Sequence, residues 1–214
     1  VNLRHIRLVS LLIIVGLSAA GCFAPDFTYV ADSSDHTYFK VPPSWHEVSP
    51  SSLEAVQGQS TSQGTYLWSR AYDDSTKPSV RHVFQSSLTP VAYASVLALS
   101  ASERAAISFD AMRDLLLPVT AAARSAANAS HTGFTGFALL SDQVLGDSHH
   151  DRGIREIFSY NLGTTPETFD LTVLTNSDTT RLYFLLVHCQ AHSFASNFPA
   201  IQKVVGSFTV GGGS

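Results

Sequence analysis

The chain has 214 residues, 44% of them hydrophobic, with 17 acidic side chains against 13 basic ones. Lysine occurs only at positions 40, 77 and 203, which excludes the clustered basic surface of a phosphate-backbone binder, so nucleic acid is not an expected partner. Thirteen phenylalanines and this apolar content are enough to build one sizeable core, and a single domain is expected.

Residues 1–21 have the layout of an export signal. Arg4, His5 and Arg7 form a basic start, and Leu8 to Ala20 is an apolar run of 13 residues. A bilayer core needs about 20. Ala19, Ala20 and Gly21 then lead into Cys22, and small residues before a cysteine mark a cleavage site. This ending resembles the lipobox of bacterial lipoproteins, with Ala19 where leucine is usual. The resemblance implies a signal peptide, a lipid such as palmitate on Cys22, and a secreted protein held at the extracytoplasmic face of the cell membrane. An ordinary signal peptide cut near Ala20, or an uncleaved anchor, are the alternatives. Val1 reads as a GTG start in a bacterial frame. Loss of Arg4 and Arg7 would leave 11 basic side chains against the same 17 acidic ones. With Cys22 acylated, Cys189 is the only other cysteine, so no intramolecular disulfide can form.

Residues 22–36 are expected to be a lipidated, polar tether, 37–210 one α+β domain, and 211–214 a flexible Gly-rich tail. Within the domain the first predicted strand is Thr37–Val41, stopped by Pro42-Pro43 with Trp45 just beyond. Strands are also predicted over 64–72, 80–86 and 91–99. Ser100-Ala-Ser-Glu103 supplies a capping box for a helix running to Leu117, where Pro118 interrupts it. Val119 to Asn128 is alanine-rich and predicted helical. Four strands follow, at 137–145, 154–162, 169–175 and 181–189, with turns at 163–167 and 176–179. In the third of them Phe169, Leu171 and Val173 alternate with Asp170 and Thr172, so one face is expected to be less buried. Leu182 to Val187 is apolar on both faces, the pattern of a central strand covered from both sides. A last helix is predicted with Pro199 in its first turn and a left-handed Gly206 at its end, followed by a strand over 207–210. The sum is α+β: an antiparallel sheet of about seven strands covered by helices.

Phe39-Lys-Val-Pro-Pro-Ser-Trp45, the late antiparallel meander, the C-terminal helix and the closing Ser207-Phe-Thr-Val210 together resemble the PsbP-like (Mog1/PsbP) superfamily. Within it they look like the actinobacterial lipoprotein branch. The resemblance covers roughly residues 36–210 and implies an α-β-α sandwich. It does not imply one function, since members of the superfamily act as accessory or docking subunits.

Three constellations could carry chemistry. Gly146-Asp147-Ser148 follows a strand as the nucleophile of an envelope serine hydrolase would, but that chemistry needs a histidine oriented by a carboxylate. Three residues before His188 and His192 stand Leu185 and Cys189, which cannot orient it. His149-His150-Asp151 and His188-Cys189-x-x-His192 are metal-like, the basis of a metal-binding accessory protein as an alternative. On a strand, however, His188 and Cys189 point to opposite faces. Cys189 then joins Tyr183, Leu185 and Val187 as a buried thiol. The aromatic set Tyr38, Trp45, Tyr66, Trp68, Phe158 and Tyr160 could line a pocket or fill the core. Asp73-Asp74 reads as a solvated turn. No catalytic residue, metal or cofactor is expected, and the leading function is binding of a partner protein or an apolar ligand.

Overall fold

The computed structural model describes residues 26–58, 64–130, 134–146 and 152–211. Its main sheet has seven antiparallel strands. Their order is β3 (His46–Glu47), β4 (Thr65–Asp73), β5 (Val91–Ala98), β9 (Arg181–Gln190), β8 (Thr165–Thr175), β7 (Arg152–Leu162) and β6 (Thr135–Gly146). Strand β9, apolar on both faces in sequence, is therefore the middle strand. Its Leu182, Phe184 and Leu186 enter one core, and Tyr183, Leu185, Val187 and Cys189 enter the other.

A second sheet of three strands, β1 (Thr28–Asp32), β2 (Thr37–Val41) and β10 (Thr209–Val210), packs beyond the C-terminal helix α6 (Ala191–Val205). Val30, Phe39, Val41 and Phe208 from this side meet Phe194, Ile201, Val204 and Val205 of α6. On the other face of the main sheet lie α1 (Pro50–Gln57), α2 (Val80–Phe84), α3 (Ala101–Ala106), α4 (Phe109–Arg113) and α5 (Ala121–Ala129). Leu53, Val83 and Met112 are their buried apolar contributions, joined by Val119 from the connection before α5. The two cores on either side of one sheet make the expected α+β sandwich.

Several expectations are corrected. Residues 80–84 form helix α2, because Ser79 caps it, accepting from the Arg81 amide, and Asp73 gathers the chain above it. Asp73 is fully buried and accepts hydrogen bonds from the Ser75 and Ser79 amides, Thr89 Oγ1 and His82 Nδ1 (2.6 Å), so it is no solvated turn. The helix expected to run unbroken to Leu117 is split: the Ser100–Glu103 box starts α3, Ile107 turns extended, and Ser108 caps α4 anew. Part of the expected tether, Thr28–Asp32, pairs with β2. Pro166 and Glu167 belong to β8, and the hairpin tightens to Gly163-Thr164 with Gly163 at φ 66°. Asp170 and Thr172 are buried because α6 covers their face.

Helix α6 begins at Ala191, directly off β9, so Pro199 lies in its interior, and Gly206 is right-handed at φ −67°. An interior proline costs about 3 kcal/mol. Phe194, Ile201, Val204 and Val205 are buried on one stripe and each contributes about 1.5–3 kcal/mol, which outweighs that cost.

Candidate functional site

A cavity of about 260 Å³ lies on the helix-bearing face of the main sheet. Its floor is Phe158, Phe169, Leu186 and His188 from the three central-to-late strands, with Tyr93 from β5 on one wall. Its roof is Leu116 and Leu117, which follow α4, and its rim is Val83, Phe84 and Gln85 at the end of α2. Aromatic stacking stiffens the floor: Phe158 lies on Phe169 at 5.2 Å, and Phe169 on the His188 ring at 5.4 Å.

The polar groups at this cavity are already engaged. His188, 2% exposed, places Nδ1 2.9 Å from Glu167 Oε1 and Nε2 3.2 Å from the Val83 carbonyl oxygen. Glu167 is fully buried and also accepts from Ser86 Oγ at 2.8 Å and the Ser87 amide at 3.1 Å. Tyr93 accepts from Gln57 Nε2 at 2.6 Å, and burial pushes its phenol well above the ordinary value. A general base needs a ring nitrogen facing its nucleophile, and both of His188's face fixed oxygen acceptors. The floor can hold apolar matter; His188 as placed cannot activate a serine.

Beneath α4 a carboxylic acid has no hydrogen-bond partner among the described residues. Glu156 of β7 shares the core-facing side of its strand with Ile154, Phe158 and Tyr160, is fully buried, and neither side-chain oxygen has a hydrogen-bond partner. Burial, then the neighbouring Asp142 carboxylate, pushes its pKa up to about 8. Asp142, its cross-strand neighbour on β6, is occupied by Arg113 of α4, whose Nε and Nη2 approach at 3.1–3.2 Å.

His188 and Cys189 do point to opposite faces. Cys189 has no exposed surface, and burial raises its thiol to about 12, so it is the inert core cysteine the sequence pattern describes. His192 is exposed in the first turn of α6. Among the described residues no three His, Cys, Asp or Glu side chains converge as a metal site. Cys22, Ser148, His149, His150 and Asp151 lie outside the described residues. The aromatic set is divided by the sheet. Trp45 and Trp68 belong to the α6 side and Phe158, Tyr160 and Tyr66 to the other, while Tyr38 is 40% exposed; only Phe158 reaches the cavity. Sequence reasoning missed the cavity because its roof comes from the connection after α4 and its rim from a helix, α2, expected as a strand. Leu115-Leu116-Leu117 before a proline, and a glutamate in register with Ile154 and Phe158, were the available signals.

Cyanobacterial PsbP (CyanoP) from Synechocystis sp. PCC 6803 superposes over 91% of this chain and 98% of its own, at a TM-score of 0.53 and 12% identity. The fold is PsbP-like. The Saccharomyces cerevisiae Ran-binding protein Mog1p aligns over 87% of the chain and 96% of its own length at 10% identity, with a TM-score of 0.46. A Pseudomonas aeruginosa protein of unknown function, a putative regulator, covers 89% of the chain and 100% of itself at 10% identity and a TM-score of 0.45. No protein-family model matches the sequence, and no curated protein does. The PsbP-like sandwich here carries its cavity between the sheet and the segment that follows α4, away from the face that α6 covers.

Proposed function

We propose that this chain is a non-enzymatic, cell-envelope lipoprotein of the PsbP-like fold that binds an apolar ligand in the cavity roofed by Leu116 and Leu117. The cavity carries the reading: it is lined almost wholly by aromatic and aliphatic side chains, and its polar groups are spent on one another. A hole of about 150 Å³ lined by such residues is large enough for benzene. One of about 260 Å³ suits a bicyclic ring or a short alkyl chain. The address rests on the basic-apolar-small pattern before Cys22, which supports a lipid anchor at the extracytoplasmic face. The actinobacterial lipoprotein branch rests on the motif resemblance over residues 36–210 taken together with that anchor.

The test is titration with 2-fluoronaphthalene, an uncharged ligand of 11 heavy atoms, followed by fluorine NMR. At about 0.5 kcal/mol per heavy atom the expected Kd is on the order of 0.1 mM. Leu117→Trp should fill the space and abolish binding while leaving the circular dichroism spectrum unchanged. Equal binding by that variant, or none by the parent, would sink the ligand reading. Replacing Cys22 by Ala should release the protein from membranes or leave it unprocessed; normal processing with unchanged membrane attachment would refute the lipid anchor.

A further inference from the structure

A buried carboxyl group without a hydrogen-bond partner is rare in native proteins and calls for a reason. Glu156 stands directly across the ladder from Asp142 on β6 and from Leu171 on β8, and α4 packs over β7 above it. Every charged group that faces it is already committed. Arg113 holds Asp142 through Nε and Nη2 and Asp110 through Nη1. Asp114 accepts from the Val119 and Thr120 amides and from Thr120 Oγ1, closing the segment that contains the roof leucines into one unit. Leu171 and the buried Met112 are apolar. Among the described residues no cation is left over for a second charge at this place.

The roof is tied to the sheet at both ends. On the near side the tie is Arg113 to Asp142, three residues before Leu116. On the far side Tyr160 of β7 donates its hydroxyl to the Pro118 carbonyl, while Arg124 of α5 donates to the Val119 carbonyl and ties the same segment to that helix. The far tie involves a phenol whose pKa burial raises, so it stays intact across neutral and mildly alkaline pH. The near tie sits beside Glu156.

We propose that Glu156 is a proton-controlled latch for the cavity: protonated, it lets α4 and the Leu116–Leu117 roof close on the sheet, and ionised, it pries the near end of the roof loose. This rests on the cavity being the ligand site. The physical cause is that an ionised Glu156 places a further carboxylate beside Asp142 and Asp114 in an apolar layer. Arg113 can neutralise it by turning from Asp142 or from the exposed Asp110, and water reaches it when α4 lifts. Turning from Asp142 or lifting α4 loosens α4 from β6, and the roof leucines follow because they belong to the same clamped segment. The raised pKa of Glu156, near 8, puts this change just above neutrality.

Two measurements on the full chain carrying Cys22→Ser, which cannot be acylated, test the latch. The first is the dissociation rate of 2-fluoronaphthalene by fluorine exchange NMR at pH 6 and pH 9; the probe itself does not titrate. The rate should rise at least tenfold in the parent and stay flat, at the slow value, in Glu156→Gln. Glu156→Met serves in the same role should the amide fail to fold. The second is hydrogen exchange at the Met112 and Asp114 amides, which close α4 on the Ser108 and Asp110 carbonyls. After correction for intrinsic exchange, their protection should fall at least tenfold between the two pH values while β9 changes less than twofold. A flat parent profile, or a pH rise that persists in both Glu156 variants, overturns the latch. Absence of probe binding at every pH would refute the ligand reading alone, and α4 exchange would still decide for or against the latch.

Discussion

Replacing Arg155 by Met should cost the domain about 3–5 kcal/mol, the usual consequence of stripping the partner from a buried carboxylate. Asp170 has no exposed surface and accepts from Arg155 Nε at 2.9 Å, from Arg155 Nη2 at 2.7 Å and from Gln202 Nε2 at 3.1 Å. Methionine keeps the aliphatic stem and removes the charge, so lost packing contributes little and the uncompensated Asp170 dominates. Gln202 of α6 remains as one neutral donor, too little to balance a buried charge. The reverse change, Asp170→Leu, should cost less, because the Arg155 side chain is 23% exposed and can turn its guanidinium to water. The double variant Arg155→Met with Asp170→Leu should come back close to the parent. For a domain of this size about 2–4 °C accompanies each kcal/mol, so the single Arg155 variant should melt roughly 6–20 °C lower. Urea unfolding of the four proteins gives the coupling energy directly. Melting of Arg155→Met within 2 °C of the parent, or a double variant no better than the single, would refute this account of how α6 is fastened to the sheet.

Glu156 gives a stability that depends on pH in a stated direction. Its folded value near 8 lies above the ordinary 4.5, so the folded chain keeps a proton that the unfolded chain releases. Stability should fall by about 1.4 kcal/mol per unit between roughly pH 4.5 and 8 and level off above. Glu156→Met should abolish that slope and gain roughly 3 kcal/mol at pH 7; urea melts at pH 5 and pH 8 check it. Cys189 should resist a thiol reagent in the native domain at pH 8 and react at once in denaturant, since its thiolate is suppressed to about pH 12; rapid native labelling would contradict its burial. Gly153→Ala should unfold or strongly destabilise the protein, because a methyl group there collides with the Val173 carbonyl oxygen and the Leu174 backbone; a circular dichroism melt near the parent's would show that β7 and β8 are less closely paired.

Most of the strands, and the late antiparallel meander, were legible in sequence because alternation and turn residues are local properties. Leu182 to Val187 demanded cover on both faces, and β9 is the central strand. The same alternation placed His188 and Cys189 on opposite faces and so dissolved the metal pair. The Ser100–Glu103 capping box was equally local and is present. Other features depended on what came from far along the chain. Residues 80–84 are β-branched and aromatic enough for a strand, yet Ser79 and the buried Asp73 made them a helix. Asp170 and Thr172 carried the signature of a wetter face, and only the arrival of α6, with Gln202 aimed at Asp170, buried them. The cavity was out of reach for the same reason: its floor comes from three strands, its roof from the connection after α4 and its rim from the end of α2. Periodicity along one segment reports which side of that segment avoids water. It holds no record of which distant segment supplies the cover, and the burial of Glu156, the pairing of Asp170 and the space above Phe169 all depend on that cover.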